Sequence, residues 1–155
     1  MADTATTTPT TATTKAVAPR ETGALVSDHG RTEISDTVVS KIAGLAAREI
    51  SGVADLGGGA ARTVGAIRER IPGSRTNLSQ GVSVEVGQRQ AAIDLDIVAE
   101  YGVAIADLAQ GIRRNVIASV ERMTGLEVTE VNIVVHDVVT ADETEGSADA
   151  EPRVE

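Results

Sequence analysis

The sequence predicts a two-layer α+β domain in which a small, mostly antiparallel sheet is covered on one face by two helices. Three observations predict it. Val82, Val84 and Val86, then Ile93, Leu95 and Ile97, alternate with polar residues, the period of a half-buried hairpin. Two longer segments, 36–50 and 106–123, repeat apolar residues at spacings of three and four, the period of amphipathic helices. A doubly wound parallel sheet would need more helices and near-continuous apolar strands, and the chain has neither.

Residues 1–29 read as a disordered tail. The first twenty residues carry eight Thr by position 14, together with Pro9 and Pro19, and little in them can pack. The start has neither a basic nor an apolar signal region. The domain is expected over 30–139. GRTEIS (30–35) reads as a short strand running into a helix cap. The Ser35 hydroxyl is expected to accept from the free N–H groups of the next turn, and Asp36 suits the positive helix end. The first helix has Val38, Ile42, Leu45 and Ile50 as its stripe, widened by Val39, Ala43 and Ala46. Gly52 ends it, and GVADL is a short strand.

Residues 57–81 break the pattern. Three glycines open the segment, Pro72 and Gly73 interrupt it, and Arg62, Arg68, Arg70 and Arg75 face one acid, Glu69. The expectation is a mobile loop with a turn or two of helix around Val64, Ile67 and Ile71. The hairpin follows, turning through Gly87–Gln90. The second helix carries Ile105, Leu108, Ile112, Val116, Val120 and Met123 in one stripe with Ile117 beside it, and Gly125 stops it. The last strand places Val131, Ile133 and Val135 on one face and Asn132, Val134 and His136 on the other. The expected core is Ile42, Leu45, Ile93, Leu95, Ile112, Val116, Val131 and Ile133. Residues 140–155 read as an acidic, solvated tail, with six acids against Arg153.

Composition narrows the function. Of 155 residues, 14 are Lys or Arg and 23 are Asp or Glu, a net charge of -9 that disfavours binding to a nucleic-acid backbone. About half of that charge is tail. Without cysteine there is no disulfide, thiolate nucleophile or Cys-ligated metal. Tyr101 is the only aromatic residue, so base-stacking platforms and aromatic cages have almost nothing to build on. No apolar run reaches the roughly 18–20 residues that span a bilayer. The expected address is the cytoplasm, or peripherally the inner membrane face through a partner.

No motif outweighs its structural explanation. GGGAAR (57–62) lacks the Lys and hydroxyl of a phosphate loop. Glu85, Asp94 and Asp96 share a polar strand face, where two carboxylates about 6.5–7 Å apart suit a hard cation or an acid/base pair, but solvation is their ordinary fate. His136 has no second domain histidine to complete a site. The plan is similar in outline to KH nucleic-acid modules, whose Gly-x-x-Gly clamp is absent; Arg62, Arg68, Arg70, Arg75, Arg113 and Arg114 are the cations such a module would use. The residues therefore point to an interaction domain without catalytic, cofactor or metal residues. A KH-like nucleic-acid module and a carboxylate-based metal protein or enzyme are the alternatives.

Three blocks carry a family resemblance: TEISDTVVSKIAGLAAREISGVADL, GVSVEVGQRQAAIDLDIVAEYG and IADLAQGIRRNVIASVERMTGLEVTEVNIVVHDV. In this order, over residues 30–139, they resemble the alkaline shock protein family, the envelope stress response proteins of Gram-positive bacteria, in an actinobacterial form. The resemblance implies an abundant, non-catalytic cytoplasmic protein that self-associates and is held at the membrane face by a small membrane-anchored partner. It implies structural or interface roles for Gly52, Val53, Tyr101, Gly102, Gly125, Leu126, Val131 and Asn132, and no ligand residues. From the residues themselves, Arg62, Arg68, Arg70 and Arg75 are the candidate partner-binding group. Ile117 and Val134 are the candidates for self-association.

Overall fold

A computed structural model describes residues 25–59, 77–140 and 142. The elements are β1 (Val26–Ser27), β2 (Gly30–Arg31), α1 (Asp36–Arg48), β3 (Val53–Leu56), β4 (Val82–Val86), β5 (Gln90–Glu100), α2 (Ile105–Thr124) and β6 (Glu127–Val139). As expected from the change of period, β4 and β5 form an antiparallel hairpin with Val82 opposite Leu95 and Val86 opposite Ala91. Its turn closes where the Gly87 N–H donates to the Gln90 carbonyl at 2.8 Å.

The long strand β5 organises the sheet. On one edge it pairs with β4 and then, further along, with β3, both antiparallel. On the other edge it pairs with β6 in parallel, from Gln90–Glu127 to Glu100–Val139. That parallel pair follows from α2. Twenty helical residues advance about 30 Å, enough to return the chain to the start of an eleven-residue strand about 36 Å long. The result is a two-layer α+β fold, with a mostly antiparallel sheet and the two helices of the described residues on its inner face.

Strands β3 and β4 behave as one interrupted strand. They run in the same direction along β5, and the break falls opposite a single residue, Asp96. Its carbonyl accepts from the Gly57 N–H at 2.7 Å and its N–H donates to the Gly81 carbonyl at 2.8 Å. Both glycines have positive φ, 103° and 71°, and a Cβ on Gly81 would run into the backbone of Gly57. The chain leaves the sheet and rejoins it at the same point. The turns expected around Val64, Ile67 and Ile71 lie outside the described residues.

The core lies between the sheet and the helices. Leu56, Ile93, Leu95 and Ile97 from the strands, Val39 from α1, and Ile112, Val116 and Val120 from α2 are fully buried, with Leu126. Most of the expected core is found there; Ile133 is half-buried against it. Leu45 is a correction: it is 46% exposed, and Val38 is exposed with it, whereas Val39, Ala43, Ala46 and Ala47 are buried. The helix turns its small residues inward because the neighbouring backbone comes very close: a Cβ on Gly44 would run into the Leu78 carbonyl. Asn115 ties the helices together by donating to the Ala46 carbonyl at 2.7 Å and the Glu49 carboxylate at 2.9 Å.

Two further expectations change. Ser35 occupies the N-cap position of α1, but its hydroxyl makes no capping bond; its carbonyl instead accepts from Val38 and Val39. The described fold also includes residues before 30. β1 pairs with β2 (Val26–Arg31 and Ser27–Gly30), and Leu25 packs against the core. At the ends of the α2 stripe Ile105 and Met123 are exposed, while the four stripe residues between them, Leu108 to Val120, are buried.

Candidate functional site

The outer face of the sheet and the far edge of β6 are where functional groups collect. Alternation along β5 and β6 sends Ile93, Leu95, Val131 and Ile133 towards the helices and Asp94, Asp96, Asn132, Val134 and His136 to the outer face. The register then decides who meets whom. Asp94 lies beside Asn132, whose Nδ2 donates to its Oδ1 at 2.9 Å. His136 Nε2 lies 2.9 Å from Asp96 Oδ1, the geometry of a ring N–H donating to a carboxylate, and both side chains are about half exposed. Each carboxylate thus has a partner on the neighbouring strand. Among the described residues no group of three or more His, Cys, Asp or Glu is placed to hold a metal ion.

Val134 stands alone among these polar groups, 52% exposed. The other candidate for self-association, Ile117, is half-buried and packs against the core, so it belongs to the inner layer. Arg62, Arg68, Arg70 and Arg75 lie outside the described residues.

The edge of β6 has two unlike halves. Near its start α2 reaches over it: the Val128 N–H donates to Glu121 Oε1 at 3.1 Å, and Arg113 Nε donates to the Val131 carbonyl at 3.0 Å. Sequence reasoning missed this job, and counted Arg113 only as a possible phosphate contact. The available signal was the spacing of Arg113 and Glu121, eight residues apart and so on one flank of the helix. Beyond Val131, no described residue bonds to the outward-facing backbone groups of the edge until Asp137, whose Oδ1 accepts from the Val138 N–H at 2.9 Å.

The motif positions of the second and third blocks have physical explanations. The Thr124 hydroxyl donates to the Val120 carbonyl at 2.7 Å and accepts from the Leu126 N–H at 3.1 Å, and Gly125 takes the left-handed conformation that ends α2. Gly102 at φ 95° makes the turn after β5 and leaves Tyr101 77% exposed. A groove of about 440 Å³ separates the N-terminal arm from the β4–β5 turn, with Leu25, Ile34, Val86 and Leu126 in its lining. At its rim Arg31 and Glu33 face each other at 3.9 Å.

Comparison with known proteins decides the family. Residues 24–140, nearly all of the described chain, match a family model of the alkaline shock/Gls24 type, described as having a cell envelope-related function. The chain belongs to the alkaline shock protein family. It is 36% identical over 116 residues to the stress response regulator gls24 homolog of Streptococcus pyogenes serotype M1, covering 75% of this chain and 63% of that protein. The match therefore spans less than two thirds of that relative's length. It is 35% identical over 104 residues to the uncharacterized protein YqhY of Bacillus subtilis (67% of this chain, 73% of YqhY). It is 31% identical over 116 residues to YloU of the same organism (71% of this chain, 89% of YloU). No solved structure matches the chain. The resemblance of the three blocks to this family is thereby upheld; the family description names the cell envelope, and the streptococcal relative is named for a stress response. No helix among the described residues is long and apolar enough to cross a membrane.

Proposed function

We propose that this chain is a non-enzymatic envelope stress response protein acting by protein–protein contact and self-association at the cytoplasmic face of the membrane, where a small membrane-anchored partner holds it. The observation that carries this reading is the match of residues 24–140 to a family of cell envelope-related function. The outer face supports it. Two of its carboxylates are engaged by the neighbouring strand, Asp94 by Asn132 and Asp96 by His136, which suits a surface that is recognised more than one that performs chemistry. The four arginines of the 57–81 segment are the proposed partner-binding group, a concentration of positive charge in a chain of net charge -9. Against an anionic membrane each is worth about 1 kcal/mol within a Debye length. Four give a salt-sensitive attachment but no anchor, so a protein partner supplies the rest.

Co-sedimentation tests this. Wild type is expected to pellet with native Gram-positive membranes and far less with pure anionic liposomes. A variant with Arg62, Arg68, Arg70 and Arg75 all changed to Ser is expected to lose most of that retention. Absence of the wild type from the native-membrane pellet would overturn the membrane-face reading. Equal retention of the variant would remove the arginines from it.

A further inference from the structure

The open part of the β6 edge is a short window with a defined centre. At one end the Val131 carbonyl is taken by Arg113 Nε. At the other, the β5–β6 register shifts between Val135 and Asp137, and Asp137 turns its carboxylate onto the Val138 N–H. Between them lie residues 132–136, and the middle one is Val134, half exposed on a polar face. With the two-residue period of a strand, Ile133 and Val135 direct their N–H and C=O groups the same way as Val131, away from β5. Among the described residues β6 pairs with no strand but β5, so these groups form an unpaired template.

We infer that residues 132–136 pair antiparallel with the same window of a second copy, about a twofold axis through Val134, so that two sheets become one. This rests on the self-association in the proposed function and names its surface. The register follows from the groups that are free. With Val134 on the axis, Ile133 of each copy lies opposite Val135 of the other, and both use only unpaired backbone groups. Centring on Ile133 would require the carbonyl of Val131 that Arg113 already holds. Centring on Val135 would set Ile133 opposite the irregular backbone at Asp137. The axis pair is then of the non-hydrogen-bonded kind, with Cα atoms only about 4.5 Å apart, a close approach that suits two valine side chains.

The chemistry of the window also selects a second copy of this chain as occupant. A twofold contact sets like against like, and an acidic strand would repel itself. NIVVH (132–136) contains no carboxylate, whereas Glu127, Glu130 and Asp137 flank it. On the outer face Asn132 of one copy lies opposite His136 of the other, a pair able to exchange a hydrogen bond. Five residues a side bury less than the roughly 1,200–2,000 Å² of a standard interface, so the association is weak and depends on concentration.

Sedimentation equilibrium on the full chain, from about 10 µM to about 1 mM, reads the result. Wild type is expected to dimerise across this range. Val134→Lys and Val134→Asp, each alone, should weaken the dimer at least about tenfold, because like charges meet on the axis. An equimolar mixture of the two variants should associate again, since Lys then meets Asp, and unfolded variants could not do this. Wild type that stays monomeric, or single variants that associate as wild type does, would overturn the inference. So would a mixture that stays monomeric while wild type dimerises. Unaltered association of both variants would leave self-association standing and move it to another surface; membrane retention tests the envelope reading separately.

Discussion

Deleting residues 58–81 and joining Gly57 directly to Val82 should leave a folded domain, because the sheet already contains the splice. Leu56 lies opposite Ile97 and Val82 opposite Leu95, so Gly57 alone would stand opposite Asp96, whose backbone it already meets. Alternation is kept, with Leu56 and Val82 facing inward and Gly57 outward. Among the described residues the losses are local. The bond from Gln80 Nε2 to the Leu56 carbonyl, 3.1 Å long, is worth about 0.5–1.5 kcal/mol, and the half-buried Leu78 no longer covers Gly44, about 1–2 kcal/mol for part of a leucine. Against these, closing a loop of 24 residues costs about 2.8 kcal/mol by the logarithmic length term, which the splice removes. The two sides nearly cancel, and the spliced domain should lie within about 2 kcal/mol of the parent. Urea unfolding followed by far-UV circular dichroism measures the difference. Loss of cooperative unfolding, or destabilisation beyond about 4 kcal/mol, would refute the view that β3 and β4 are one interrupted strand.

Other substitutions test the packing. Ile112 is fully buried between the layers, so Ile112→Ala should cost about 2–5 kcal/mol in the same assay. Asn115→Ala removes the donor to the Ala46 carbonyl and should cost about 1–3 kcal/mol, with protection from hydrogen exchange lost first near the end of α1. Leu45→Lys, at a site 46% exposed, should cost under about 1 kcal/mol, whereas Val39→Lys at a site with no exposure should prevent cooperative folding; similar losses at both would show that α1 is seated on its other flank.

Local periodicity carried most of the secondary structure. The hairpin, both helices and the last strand were legible because each period is set by neighbours a few residues apart. The stopping points Gly87 and Gly125 were legible for the same reason, whereas α1 ends at Arg48, four residues before the expected stop at Gly52. The family was legible too, in three blocks whose glycines and buried aliphatics are now seen to make turns and core. The rotation of α1 was harder. Its apolar stripe is wide enough to seat in two ways, and the close backbone at Gly44 and Leu78 chose the small-residue side.

The functional surface depended most on the tertiary structure. That Asp94 and Asp96 spend their lone pairs on Asn132 and His136 follows from a parallel pairing of segments 38 and 40 residues apart, and no local pattern records such a pairing. The same holds for the chain leaving and rejoining the sheet at Asp96, and for the flank of α2 that closes half of the β6 edge and leaves the other half open. Sequence by itself determined which face of each strand is apolar, including the odd position of Val134, since a side chain's face depends only on parity along its own strand. Which edge stays unpaired depends on every other strand and helix at once, and that only the assembled fold decides.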